Sequence, residues 1–67
     1  MIRLWRVRRR RDHIDALLNG AGAGWDLQFL RNDRRLVVWR FETREAASAE
    51  ASARLRELER AGWTSHW

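Results

Sequence analysis

The sequence predicts an α+β domain: an antiparallel β-meander of about four strands with one C-terminal α-helix packed across one face. Three observations carry that prediction. Trp25, Leu27 and Phe29 alternate with Asp26, Gln28 and Leu30 with a period of two, and a second strand-like run over 35–41 follows the turn residues Asn32 and Asp33. Residues 44–61 read as a helix with an alanine and leucine stripe. The chain has 67 residues, enough for one core, so residues 1–67 form a single domain.

Composition narrows the class further. With 45% hydrophobic and 34% charged residues and no proline, the chain falls in the globular range. It has no cysteine, which excludes a disulfide framework, a zinc-thiolate centre and thiol catalysis. No run of about 18 apolar residues and no signal-like start are present, so a soluble, cytoplasmic protein with no membrane partner is expected.

The first strand is expected over residues 2–8, with Trp5 and Val7 on one face and Leu4, Arg6 and Arg8 on the other. Residues 12–19 read in two ways. As a helix, Asp12 caps it, Ile14, Leu17 and Leu18 share a face, and Gly20 stops it after about two turns. As a strand over 13–18, Ile14, Ala16 and Leu18 share a face and the segment becomes an antiparallel partner for the first strand. The strand is the preferred reading. Asn19 to Gly24 is then a flexible, glycine-rich connection.

The strands at 25–31 and 35–41 form a hairpin whose parity decides everything on its two faces. A two-residue loop at Asn32-Asp33 pairs Leu27 with Val38 and Trp25 with Arg40, mixing apolar and charged groups. A loop with an odd number of residues sets Val37, Trp39 and Phe41 beside Trp25, Leu27 and Phe29, and this parity is expected. The resulting apolar face suits the helix, where Thr43 caps, Glu45 complements the dipole, and Ala47, Ala51, Leu55 and Leu58 form the stripe. Glu50 and Arg54 pair on its exposed side. Gly62 ends the helix and Trp63 covers Leu58 in a Schellman arrangement.

The runs Gly24-Trp-Asp-Leu-Gln-Phe-Leu-Arg31, Phe41-Glu-Thr-Arg-Glu-Ala-Ala47 and Leu58-Glu-Arg-Ala-Gly-Trp63 resemble small bacterial proteins of unassigned function, in which a strand meander precedes one helix ending in Gly-Trp. The resemblance covers most of residues 3–63 and implies the fold alone. The hairpin leading into Phe-x-Thr-x-x-Ala is also similar to the arm-binding domains of tyrosine integrases, which implies a sheet laid in a DNA groove.

No enzyme is expected. Gly20-Ala-Gly22-Ala-Gly24 leads into a strand instead of opening a helix, so it is not a phosphate loop and no cofactor is implied. His13 and His66 lack a second ligand at metal spacing, and Ser48 and Ser52 sit among alternating charges with no oriented base. Trp5, Trp25, Trp39 and Trp63 are expected in the core or helix cap, which leaves Trp67 free. No small-molecule substrate is evident.

Charge is uneven. Residues 1–11 hold six arginines and no acid, residues 12–30 hold three aspartates and no base, and residues 31–44 hold five further arginines. Such clustering suits a polyanion. Every base is arginine, which a GC-rich coding bias alone would also produce. The uncovered face of the sheet is expected to show Leu4, Arg6, Arg8, Leu17, Gln28, Leu30, Leu36, Val38 and Arg40. The expected function is a non-enzymatic binding module. It forms a homodimer through Leu4, Leu30, Leu36 and Val38 and engages an acidic protein or polyanion through Arg6, Arg8, Arg9, Arg10, Arg11 and Arg40. The alternative is a DNA- or RNA-binding protein that uses the arginines of the first strand and the hairpin.

Overall fold

The structure, a computed structural model, describes residues 1–65. The expectations for His66 and Trp67 lie outside the described residues. Four strands, β1 (Ile2–Arg9), β2 (Asp12–Ala21), β3 (Gly24–Arg31) and β4 (Arg34–Phe41), precede one helix, α1 (Arg44–Arg60). The strands pair antiparallel in the order β1-β2-β3-β4, and α1 crosses one face against β1, β3 and β4.

The ambiguous second segment is a strand, and it buries Ile14, Ala16 and Leu18 toward α1. A marginal two-turn helix would have left β1 without a partner for its backbone groups. The glycine-rich stretch is not a flexible connection. Asn19, Gly20 and Ala21 pair with Asp26, Trp25 and Gly24, so the turn is only Gly22-Ala23. Gly20 is small for a reason: a Cβ there would stand 3.2 Å from the Trp25 indole, which lies across it.

The expected parity of the central hairpin is present, with Trp25, Leu27 and Phe29 facing Phe41, Trp39 and Val37. Its cause differs from the expectation. Arg31 pairs with Arg34, so the loop is the two-residue Asn32-Asp33 turn, with both residues at positive φ (51° and 69°). The parity is corrected by a bulge: Leu30 faces Arg35, Phe29 faces Val37, and Leu36 is the extra residue. A favourable Asn-Asp turn and an apolar inner face are both kept at the expense of one irregular ladder step.

A second bulge lies in β1 between Arg3, which faces Leu17, and Trp5, which faces Ala16. The extra residue, Leu4, packs with Trp5 against the buried cluster of Ala16, Leu18, Leu27, Phe29, Ala47 and Ala51. Trp25, Val37 and Phe41 complete that cluster. The small alanines let α1 lie close to the sheet, and the Trp5 Nε1 donates to the Ala51 carbonyl at 2.9 Å. A smaller cluster of Val7, Ile14 and Trp63, joined by Leu55 and Leu58, lies at the far end of the helix.

Both helix ends follow local rules. The Thr43 hydroxyl accepts from the Ala46 amide at 3.1 Å. At the other end Gly62 adopts φ +98° and donates to the Glu59 carbonyl, while Trp63 donates to that of Leu58. This is the Schellman pattern, with Trp63 against Leu58 as its apolar contact.

Candidate functional site

The uncovered face of the sheet differs from the expected surface. The bulges remove both Leu4, which is in the core, and Leu36, which lines a groove on the helix side. What remains apolar is Leu17 and Leu30, both half-buried, and Val38. Arg6 makes a two-pronged pair with Asp15, with Nη2 to Oδ2 at 2.9 Å, and Asp15 is only 4% exposed although no element covers it. The Arg6 guanidinium lies against both carboxylate oxygens. That hydrogen bond also holds the Arg6 guanidinium above its ordinary value. Arg40 pairs with Asp26 at 2.9 Å and donates to the Ala21 carbonyl, at the opposite end of the sheet from the β1–β2 turn. Two of the six expected polyanion contacts, Arg6 and Arg40, are thus held by carboxylates of this chain.

The other expected contacts gather at one end. In a meander the β1–β2 and β3–β4 turns lie side by side, so Arg8, Arg9, Arg10 and Arg11 share an end with Arg31, Arg34 and Arg35, all exposed. A polar network locks the two tips together. The Asn32 amide donates to the His13 carbonyl at 3.0 Å, and the His13 amide donates to Asn32 Oδ1 at 3.0 Å. Asp12 accepts from Asn32 Nδ2 at 2.9 Å and from Arg31 at 3.0 Å, and these bonds, led by that from Asn32, hold its carboxyl below the usual range. Arg9 lies 4.9 Å from the Trp63 ring and donates to the Ala61 carbonyl at 2.9 Å, so it serves the helix end as well.

Among the described residues, Arg10, Arg11, Arg34 and Arg35 make no ion pair. Arg10 holds φ +57°, where a glycine would be less strained. Arg34 and Arg35 were not among the individually expected contacts, although the nucleic-acid alternative drew on the arginines of the hairpin that carries them. Their charge is evident in the sequence, whereas their place beside the β1–β2 tip depends on the return of the chain. Nothing in the sequence marked Asn32 as the residue that joins the tips.

On the helix side an apolar groove of about 450 Å³ runs between α1 and β4, lined by Ile14, Phe29, Leu36, Val37, Trp39 and Leu58. Trp39 was expected in the core; it sits at the sheet's edge, 36% exposed, edge-on to Phe29 and 5.0 Å beneath Arg54. Arg54 also pairs with Glu50 at 2.8 Å and Glu57 at 3.2 Å, which places it on the groove's rim. Potential ligand atoms of His13, Asp15 and Asp33 lie within 4.8 Å of one another, but Arg6 occupies both Asp15 oxygens, and a cation there would meet a guanidinium. Among the described residues no helix is long and apolar enough to cross a membrane. Comparison with known protein families, curated proteins and solved structures finds no match.

Proposed function

We propose that the chain is a small non-enzymatic module that holds the phosphate backbone of a nucleic acid at its arginine end, and that it works as a homodimer. The supporting observation is the set Arg10, Arg11, Arg34 and Arg35, exposed and without carboxylate partners among the described residues, on two tips fixed together through Asn32. Four strands span three spacings, about 14 Å between outer strand axes. That exceeds the roughly 12 Å major groove, so the tip rests across phosphates and reads little sequence. In this reading the end of the sheet meets the nucleic acid, whereas the integrase resemblance implies its face. The ion pairs of Arg6 and Arg40 favour the end.

Fluorescence anisotropy of labelled duplex and single-stranded oligonucleotides at 50 and 200 mM salt tests the reading. Four phosphate contacts give a slope near −3.6 for duplex, a loss on the order of 10²-fold between those salts. No binding at 50 mM, or binding indifferent to salt, would refute it. Equal affinity for polyglutamate would assign the arginines to an acidic protein.

A further inference from the structure

The two edges of the sheet are treated differently. The outer side of β1 is paired at one position, where Thr64 exchanges both backbone hydrogen bonds with Arg8 at 2.7 and 2.9 Å. The outer side of β4 has no neighbour among the described residues. It carries three of the five exposed large apolar side chains among the described residues, Leu36 60%, Val38 37% and Trp39 36% exposed, the other two being Met1 and Ile2 where β1 begins. A bare apolar edge is a template for another strand.

We propose that the β4 edge pairs antiparallel with the β4 edge of a second copy, about a twofold axis at Trp39, to form one continuous eight-stranded sheet with both helices on the same face. The inference rests on the homodimer part of the reading above and places its interface at the edge instead of the open face. The register follows from charge. A twofold axis normal to the sheet sets side chains of the same face opposite each other. Centred on Trp39, it places Trp39 against the partner's Trp39 and Val37 against the partner's Phe41 on the helix side. On the other face Val38 meets the partner's Arg40. Because Leu36 is bulged out, Arg35 then meets the partner's Glu42, twice by symmetry.

Neighbouring registers fail. Centring on Val38 opposes Arg35 to the partner's Arg40, centring on Arg40 opposes the two arginines themselves, and centring on Val37 sets Trp39 against the partner's Arg34. Of these registers, only the one centred on Trp39 both avoids like charges and extends the apolar groove across the seam. A second copy also matches the edge on both faces at once, since one strand supplies its own apolar row, acid and base.

Sedimentation equilibrium of the purified chain, with no nucleic acid present, is expected to give twice the 8.1 kDa chain mass at about 100 µM. Glu42→Arg, an exposed substitution beyond the strand, is expected to weaken association at least about tenfold, and Arg35→Glu with Glu42→Arg to restore it to within about threefold. Amide exchange in residues 37–41 is expected to slow as concentration rises. A chain that stays at 8.1 kDa overturns the proposal, as does a dimer whose mass and β4 exchange ignore both variants. A monomer whose β4 amides are protected only by an added acidic peptide overturns it too, and assigns the edge to a different protein. In the dimer Arg35 is taken by the partner's Glu42, which leaves Arg10, Arg11 and Arg34 of each chain for phosphate; salt-dependent binding by a monomer therefore leaves the phosphate reading standing, with all four arginines available.

Discussion

Arg10→Gly is expected to move stability and binding in opposite directions. At φ +57° a side chain with a Cβ carries a penalty of about 1 kcal/mol, which glycine removes. Glycine returns part of that through the greater freedom of the unfolded chain, so the net gain is about 0.5 kcal/mol. Urea unfolding followed by far-UV circular dichroism reads it as a higher midpoint at unchanged slope. The same substitution removes one phosphate contact. At about 0.9 logarithmic units of salt dependence per contact, it lowers affinity at 50 mM salt roughly tenfold and reduces the salt slope by about one. Arg10→Lys keeps both charge and strain and is expected to behave like the parent in each assay. A glycine variant that is less stable, or that binds nucleic acid as tightly as the parent, would show that Arg10 is held at the tip for the fold and not for a ligand.

Ala51→Leu forces added volume between α1 and the sheet where Trp5 reaches the Ala51 carbonyl, and thermal unfolding is expected to show a loss of about 1–3 kcal/mol. Acid titration addresses the tip network. Asp12 is held below the usual carboxylate range by Asn32 and Arg31, so its contribution is present above an unfolded value near 4 and disappears as pH falls through the lower folded value. The unfolding midpoint of the parent should therefore drop below about pH 4, and Asp12→Asn should flatten that part of the curve; an unchanged curve would mean that the network does not hold the tips.

Local rules made the helix readable from sequence. Thr43, Gly62 and Trp63 act within a few residues of the backbone they cap, and no tertiary competitor displaces them. The parity of β4 was readable too, because Trp39 and Phe41 have no other apolar surface to join. The bulges at Leu4 and Leu36 were not, since each settles a contest between turn geometry, pairing and burial that only the assembled sheet decides. The open face was misjudged for that reason: two of its four expected interface leucines and valines, Leu4 and Leu36, left it. The arginine end was half visible. The run at 8–11 is contiguous, whereas Arg34 and Arg35 join it only through the return of the chain, and the clasp made by Asn32 depends on two turns meeting.

The irregular step at Leu36 gives the fourth strand one residue of slack. Deleting a residue from an ordinary strand turns every later side chain to the wrong face. Here a single deletion anywhere from Leu36 to Val38 can be absorbed by straightening the ladder, and Trp39 and Phe41 would still look toward the helix. An insertion has no such reserve to draw on. Lineages carrying this fold can therefore shorten the strand by one position without losing the domain, and changes in its length should run toward loss more often than gain.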